Sequence, residues 1–463
     1  MGMYVYGKVE IFDYFIVEDF LMAKIVLLGA GSHTFSRNLI TDVVSYPELR
    51  ESTITLMDIE KEPLDLIAAF AKRLVKQHGF SNKIEATTDR RKALDGADYV
   101  ICTIQLGGVK QQARDIAAKY GLADGWTGPA SGLANGLSQI PVIMDICRDM
   151  EKLCPDAWLL EYANPLSTIC WAINDYTKVK NVGLCHSVPH TAAQLAKYIE
   201  KPIEECSYWV AGINHLAWFL EFKWNGKDAY PMLRKKFEDP RVYSADDAHW
   251  AGADIVRAEV LKTFGYFLTE ASFINAYYMP YFRKSSRPDI MEKYKLETDN
   301  HPERHPKREE VMKEMRQKED KKFRNEIKSG QPFSLNPSRE YGAKIIHAME
   351  TGIPARINGN VRNTGLITNL LAGSVVEVPC LVDREGIHPC YVGALPNQLA
   401  ALNQSNIYAQ EMVMRGIMEK DKNKIFQGGL LDPLTASILT IEETRKMVDE
   451  IFAAEKDNMQ GYK

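Results

Sequence analysis

The chain has 463 residues, of which 45% are hydrophobic and 25% are charged. This is the balance of a globular protein, and the length predicts two packed domains. Lys and Arg number 57 and Asp and Glu 61, so the net charge of −4 argues against a protein that binds nucleic acid through a basic face. No run of 18 apolar residues is present, and we therefore expect no transmembrane helix and no membrane partner.

Strands and helices alternate along the first part of the chain. Short apolar runs predict buried strands at 24–28, 53–57, 84–87 and 97–103, and apolar residues at helical spacing predict helices at 34–46 and 63–78. Two further strands are predicted at 154–162 and 181–184. This alternation is typical of an α/β fold with a Rossmann-like, doubly wound parallel sheet.

A glycine-rich turn follows the first predicted strand. Gly29 allows a tight turn, Gly31 allows the backbone to approach a pyrophosphate, and Ser32 precedes a helix whose N-terminus favours phosphate. Asp58 ends the second strand, where an acid binds a ribose 2′-hydroxyl and repels a 2′-phosphate. Thr34 replaces the third glycine of the usual motif, and a purely structural turn is the alternative. Together these features predict a site for NAD.

Polar residues also stand at the ends of later strands. Asn164 follows one strand, Cys185 and His186 follow the next, and Asn214 and His215 interrupt a later apolar segment. Open α/β sheets bind ligands at such strand ends. A thiolate and an imidazole together suit a borderline or soft divalent metal, although a buried cysteine and a hydrogen-bonded histidine are the alternative.

The remaining sequence features are less specific. Eight cysteines without a CxxC pair indicate reduced thiols and a cytoplasmic protein. Acidic residues interrupt the apolar character of residues 1–21, which we interpret as an N-terminal extension; an extra surface strand or helix is the alternative. The charged stretch 292–328 predicts a solvated helix, with His301 and His305 at the surface.

Several motifs in order resemble glycoside hydrolase family 4, the NAD- and divalent-metal-dependent glycosidases. They are KIVLLGAGSHTF, ITLMDIE, EYANPLS, GLCHSVPH, GINHLAWF, SREYG, GNVRNTGLITNL and VVEVPCLVD. The resemblance covers nearly the whole chain from residue 23 to 454 and is strongest to the bacterial α-galactosidases of the family.

The resemblance implies a fold and a chemistry. It implies a fold related to lactate and malate dehydrogenases, with an NAD-binding domain at 22–195 and an α+β catalytic and oligomerisation domain at 196–463. In the chemistry that the resemblance implies, bound NAD⁺ takes a hydride from C3 of the sugar, a base removes the C2 proton, and a divalent metal such as Mn²⁺ stabilises the enediolate. The aglycone is then eliminated from C1, water adds, and the hydride returns to C3, so that the net reaction is hydrolysis. The substrate would be a small glycoside and the protein a homodimer or homotetramer.

The resemblance also assigns residues by their match to family motifs. Cys185 and His215 match the metal ligands, and His186 takes the place of an acid that assists departure of the aglycone. Asn164 matches the residue that contacts sugar hydroxyls beside the metal, and Asn214 adjoins the ligand histidine as a further substrate contact. The C2 base stays open between Glu270 and Tyr278.

Three departures bear on the substrate. Gln105 stands where phosphosugar members carry an arginine, which implies an unphosphorylated sugar. Phe273 and Ile274 replace a glutamate and a histidine of the α-galactosidases, and the loop 123–139 lacks their acidic segment. The leading interpretation is an α-galactosidase; the alternatives are a glycosidase for a hexuronic acid or another modified sugar, an NAD-dependent dehydrogenase of related fold, and a non-catalytic NAD-sensing protein.

Overall fold

A computed structural model describes most of the chain. The described residues are 22–106, 110–122, 129–245, 248, 252–296, 308–454 and 461–462. The proposed extension 1–21, the histidines 301 and 305, and residues 123–128 of the altered loop lie outside them.

The strands carry the apolar runs that the sequence predicts. In chain order they are β1 (Lys24–Leu28), β2 (Thr53–Met57), β3 (Lys83–Thr87), β4 (Tyr99–Cys102), β5 (Trp158–Glu161), β6 (Lys180–Gly183), β7 (Cys206–Ile213), β8 (Leu216–Trp224), β9 (Lys227–Asp228), β10 (Phe267–Leu268), β11 (Ala355–Arg362), β12 (Val375–Asp383) and β13 (Gly386–Pro389).

Helices connect and flank these strands. In chain order they are α1 (His33–Ser45), α2 (Lys61–His78), α3 (Arg90–Leu94), α4 (Lys110–Lys119), α5 (Pro129–Leu153), α6 (Leu166–Tyr176), α7 (Ser187–Tyr198), α8 (Tyr230–Lys236), α9 (Arg241–Ser244), α10 (Ile255–Phe264), α11 (Ser272–Tyr278), α12 (Pro288–Lys293), α13 (Arg308–Lys328), α14 (Gly342–Thr351), α15 (Asn397–Glu419), α16 (Lys422–Leu431), α17 (Pro433–Ala436) and α18 (Ile441–Ala454). Two short 3₁₀ turns lie at Pro47–Leu49 and Ile203–Glu205.

One sheet unites the two halves of the chain. Its first six strands are parallel in the spatial order β3-β2-β1-β4-β5-β6, which is the order of dinucleotide-binding sheets. The sheet then continues through β11, β12, β7, β8 and β10, all paired antiparallel. The predicted fold class is therefore confirmed, whereas the domain boundary near residue 195 stays a prediction.

The junction between the parallel and antiparallel parts lies next to the site. Asn360 of β11 pairs with Gly183 of β6. A Cβ atom on Gly183 would lie 2.9 Å from the Cβ of Asn360, so only glycine lets these strands approach so closely. Cys185 comes two residues after the end of β6, so this junction lies close to it.

Apolar packing joins most elements into one large core. Ile25, Val26, Leu27 and Leu28 of β1 are at most 1% exposed, as expected for a central parallel strand. A second cluster, which includes Phe219 of β8, packs α7, α8 and α10 against β7 and β8. No helix among the described residues is long and apolar enough to cross a lipid bilayer.

Most described residues of helix α13 are exposed, as predicted for the charged stretch, but the helix also makes one buried contact. Its Phe323 is only 2% exposed and packs against Phe70 of α2 and the ring of His33. Asp320 also pairs with His33 at 2.8 Å. The charged residues that dominate this helix led us to predict a solvated face, although Phe323 and Ile327 stand four residues apart on one side of the helix.

Candidate active site

Three buried side chains from three different chain segments meet at one end of the sheet. Cys185 follows β6, His215 lies in the two-residue turn between β7 and β8, and Glu270 follows β10. The thiol, imidazole and carboxylate ligand atoms of these residues all lie within 4.8 Å of one another. The structure thus brings together the two predicted metal ligands and one of the two candidate bases.

The histidine and the glutamate face each other directly. His215 Nε2 lies 3.4 Å from Glu270 Oε1, and both side chains are 6% exposed. Their backbones are both in the left-handed region, with φ of +63° at His215 and +71° at Glu270. Such conformations cost non-glycine residues on the order of 1–3 kcal/mol and concentrate at functional sites.

The electrostatics of the cluster favour a neutral thiol at Cys185 and a neutral imidazole at His215 when no cation is present. Burial raises the pKa of the Cys185 thiol well above its usual value, and the nearby carboxylates of Glu270 and Glu377 raise it further. Burial lowers the pKa of His215, although Glu270 opposes that shift. A neutral imidazole is the form that binds metal, and a cation is the natural means of stabilising a thiolate among buried acids.

The donor set fits a divalent metal ion. Sulfur, nitrogen and oxygen donors in one buried group suit a borderline ion such as Zn²⁺ better than Ca²⁺ or Mg²⁺, which take oxygen ligands. Two donors about 2.1 Å from one tetrahedral ion are about 3.4 Å apart, which matches the separation of His215 Nε2 and Glu270 Oε1.

His186 adjoins this cluster at the start of α7. Its Nδ1 lies 3.5 Å from Glu340 Oε1, and its ring centroid is 4.8 Å from that of His190. Burial lowers the pKa of His186, but the hydrogen bond to Glu340 and the charges of Glu270 and Glu340 outweigh this effect and raise it. The side chain is 33% exposed, so it can also contact a ligand.

A cavity opens beside the cluster. Tyr278, Asn164 and Asn214 line it, and the hydroxyl oxygen of Tyr278 lies 3.4 Å from His215 Nδ1. Asn214 is 4% exposed, and its Nδ2 has no hydrogen-bond partner among the described residues. The other described residues that line the cavity are uncharged except for Asp432. The cavity therefore presents amides and hydroxyls to a ligand.

The glycine-rich turn has the form that a dinucleotide needs. Gly29 has φ of +83°, and a Cβ there would lie 2.8 Å from the backbone nitrogen of Ile104. Ser32 caps α1 without a side-chain hydrogen bond, and the first turn of α1 has no acidic residue, so its amide donors stay available to phosphate. Asp58 accepts hydrogen bonds from the amides of Gly31 at 2.8 Å and Glu60 at 2.9 Å, which fixes its carboxylate beside the turn.

Gln105 is not placed in the cavity. It follows β4, is exposed, and is not among the residues that line the cavity. The neighbouring glycines at 107 and 108 lie outside the described residues.

Sequence reasoning missed two groups at the site. The roles of Glu340 and Glu377 were not predicted, although both lie within family motifs, SREYG and VVEVPCLVD. Glu377 of β12 is fully buried, neither of its carboxylate oxygens has a hydrogen-bond partner among the described residues, and burial raises its pKa to about 8. A charged residue within an otherwise apolar strand was the available signal.

The fold and the site together define a class of protein: a dehydrogenase-like, dinucleotide-binding α/β fold with a cluster of metal-type donors at the end of its sheet. The family within that class follows from comparison with known proteins. Residues 24–201 match the family 4 glycosyl hydrolase model, and residues 210–435 match the model of the family 4 glycosyl hydrolase C-terminal domain. The chain belongs to glycosyl hydrolase family 4.

Curated relatives agree over nearly the full length. An alpha-galactosidase of Bacillus subtilis (strain 168) is 38% identical, with 96% of this chain and 100% of that protein covered. An alpha-galactosidase of Rhizobium meliloti (strain 1021) is 36% identical, with 95% and 89% covered. An alpha-galacturonidase of Thermoanaerobacter italicus is 26% identical, with 95% and 98% covered.

Solved structures share the fold. A 6-phospho-alpha-glucosidase from gut microorganisms, solved with NAD and Mn²⁺, has a TM-score of 0.78 at 20% identity and covers 94% of this chain and 98% of its own. The 6-phospho-beta glucosidase of Thermotoga maritima, solved with manganese, NAD⁺ and glucose-6-phosphate, has a TM-score of 0.74 at 20% identity with the same coverage. A malate dehydrogenase of Plasmodium falciparum has a TM-score of 0.50 at 12% identity and covers 86% of this chain and 99% of its own, which supports the dehydrogenase-like architecture.

Proposed function

We propose that the protein is an NAD- and divalent-metal-dependent glycosidase that hydrolyses unphosphorylated α-galactosides. The observation that carries this proposal is the convergence of Cys185, His215 and Glu270 on one point beside the cavity that Asn164, Asn214 and Tyr278 line. The names of the two most similar relatives described above and the ligands of the solved structures support it.

Two sets of residues would hold the cofactors. The turn with Gly29, Gly31, Ser32 and Asp58 would bind NAD, and the cluster of Cys185, His215 and Glu270 would bind Mn²⁺ or another divalent ion. When bound, NAD⁺ would take a hydride from C3 of the sugar and later return it, and the metal ion would supply Lewis-acid stabilisation of sugar oxygens.

The positions of Glu270 and Tyr278 support different roles for the two candidate bases. Glu270 is 6% exposed and points at His215, so its carboxylate serves best as a third metal donor. Tyr278 is partly exposed and lines the cavity, where it can reach a substrate proton. We therefore assign removal of the C2 proton to Tyr278, whose charged form a cation beside His215 would favour.

The remaining polar groups would orient the sugar and its leaving group. His186 would donate a proton to the departing aglycone, with Glu340 fixing the orientation of its ring. Asn164 and Asn214 would hydrogen-bond sugar hydroxyls from the cavity wall. The free Nδ2 of Asn214 is a buried donor that such a hydroxyl would satisfy.

The neutral lining of the cavity favours an unphosphorylated sugar. No Lys or Arg is among the described residues that line it, and Asp432 would repel a phosphate. Gln105 is neutral and cannot make the charge-assisted contact that an arginine gives a phosphate.

A second candidate substrate is a galacturonide. Arg283 is 3% exposed, stacks on Tyr277 at 4.1 Å, and its Nε has no hydrogen-bond partner among the described residues. A buried guanidinium with an unused donor is a group that a sugar carboxylate could bind. Arg283 does not itself line the cavity, and for that reason we rank this candidate second.

The test is a direct comparison of nitrophenyl α-galactoside, its 6-phosphate and nitrophenyl α-galacturonide, with NAD⁺, Mn²⁺ and a reductant present. The proposal predicts the highest kcat/KM for the neutral galactoside. A higher kcat/KM for the galacturonide would establish the second candidate. A higher kcat/KM for the 6-phosphate would contradict the proposal, based partly on Gln105, that the sugar is unphosphorylated. Assembly as a homodimer or homotetramer is part of the proposal and is tested by light scattering.

A further inference from the structure

One buried side chain joins the two turns that carry the histidine and glutamate donors. Asn275 lies on α11 and is fully buried. Its Nδ2 donates hydrogen bonds to the backbone carbonyl of His215 at 3.1 Å and to that of Thr269, the residue before Glu270, at 2.9 Å. Both protons of one amide are thus used between two segments that are far apart in sequence.

The two turns need such a link because both are strained. His215 and Glu270 are each in the left-handed region, which non-glycine residues keep only when surrounding contacts determine it. A backbone contact already ties the turns together, since Thr269 and Ala217 exchange hydrogen bonds of 2.9 and 3.2 Å. Asn275 adds the contact nearest to the donor residues themselves.

The orientation of the amide follows from its partners. Two carbonyl oxygens require donors, so the NH₂ group must face the two turns. The Oδ1 atom on the other side is buried without a hydrogen-bond partner among the described residues. Asn275 therefore binds both turns through its Nδ2 but leaves its buried Oδ1 acceptor unsatisfied. An unsatisfied buried acceptor costs free energy, so an apolar residue would suit this position better if it served only for packing.

We propose that Asn275 is a positioning residue that keeps the His215 and Glu270 donors at the separation a divalent ion requires. The proposal rests on the metal site of the proposed function. Groups outside the ligand shell that orient ligands typically change metal affinity by about 10- to 100-fold when they are removed. We expect the loss of the Asn275 amide to change metal affinity by a similar factor, because the backbone carbonyls of His215 and Thr269 would lose their hydrogen bonds.

The experiment replaces Asn275 by leucine, which has a similar shape and no donor. With saturating NAD⁺, the Kd of Mn²⁺ is measured by isothermal titration calorimetry, and the thiolate-to-metal absorption of the Co²⁺-loaded protein reports the bond to Cys185. We expect Asn275→Leu to bind Mn²⁺ about 10- to 100-fold more weakly, with unchanged affinity for NAD⁺. Asn275→Ser, which keeps one donor, should give a smaller loss and remains informative if the leucine variant does not fold.

Asn358 offers a matched control. It is 2% exposed, and its Nδ2 donates to the backbone carbonyl of Val210 at 3.0 Å, so Asn358→Leu removes a similar bond that does not involve the donor turns. Unchanged Mn²⁺ affinity in both Asn275 variants, or an equal loss in Asn358→Leu, would overturn the role of Asn275 and leave the proposed metal site standing. Wild-type protein whose Mn²⁺ binding is absent or insensitive to Cys185→Ser would overturn the proposed metal site and the inference together.

Discussion

His215 Nε2 and Glu270 Oε1 lie 3.4 Å apart, and each belongs to a residue with a left-handed backbone. The separation exceeds that of a strong hydrogen bond between charged groups and equals the spacing of about 3.4 Å expected for two donors of one tetrahedral ion. With the buried thiol of Cys185 alongside, the pair is better suited to share a cation than to bond to each other.

The first prediction concerns the thiol and the imidazole. Cys185→Ser and His215→Ala should each lose most Mn²⁺ binding and metal-dependent hydrolysis, because each removes a ligand from a buried set. Binding of NAD⁺ should persist, since its predicted site begins at Gly29. Calorimetric titration with each ligand separates the two effects, and a Cys185→Ser protein that keeps full activity after chelation would remove the metal assignment.

The second prediction separates the two roles proposed for Glu270 and Tyr278. Glu270→Gln should weaken Mn²⁺ binding by about 10-fold or more, because the carboxylate supplies charge to the cluster. Tyr278→Phe should leave the Kd of Mn²⁺ nearly unchanged and lower kcat by about 100-fold or more, as expected when a general base is removed. If Tyr278→Phe weakened Mn²⁺ binding and Glu270→Gln did not, Tyr278 would be the metal ligand and Glu270 the base.

The third prediction uses two glycines with similar backbone conformations. Gly29→Ala should weaken NAD⁺ binding because its Cβ would meet the backbone of Ile104 at 2.8 Å and displace the turn. Gly79 at the end of α2 has φ of +66°, and no atom of the described residues lies within 4 Å of an added Cβ, so Gly79→Ala should cost only about 1 kcal/mol of stability. Equal NAD⁺ affinity in the two variants, measured by fluorescence titration, would argue against the turn as the cofactor site.

The fourth prediction concerns Glu161, which is fully buried at the end of β5. Burial raises its pKa to about 8, although a hydrogen bond from the amide of Ala163 opposes the shift. The Glu161 carboxyl therefore binds its proton more tightly in the folded state than in the unfolded state, where its pKa is about 4.3. Stability from this group is present below about pH 4.3 and is lost as the pH rises toward 8, by about 1.4 kcal/mol per pH unit.

Glu161→Gln cannot ionise and should escape that loss. Its free energy of unfolding relative to wild type should rise by about 3 to 4 kcal/mol between pH 5 and pH 8 in urea titrations. Any change in the free energy of unfolding that the new amide itself causes would be the same at every pH. Parallel stability curves for the two proteins would show that Glu161 is already ionised at pH 5 in the folded state.

The parallel half of the fold could be predicted from the sequence because its strands are short apolar runs that end in recognisable turns. The motif positions of Cys185 and His215 also pointed to a shared site, since both follow strands of one sheet. The place of Glu270 in that cluster could not be predicted, because it depends on the pairing of β8 with the two-residue strand β10. The contact between His186 and Glu340 likewise joins segments whose proximity only the folded chain defines.

In the proposed reaction, Tyr278 removes a proton from C2 of the sugar before the aglycone leaves. Hydrolysis of nitrophenyl α-galactoside in D₂O, with NAD⁺ and Mn²⁺ present, tests it by NMR of the released sugar. We expect deuterium at C2 of the product and much slower turnover in Tyr278→Phe. Product that retains only hydrogen at C2, from a wild-type enzyme that hydrolyses the substrate at full rate, would contradict it.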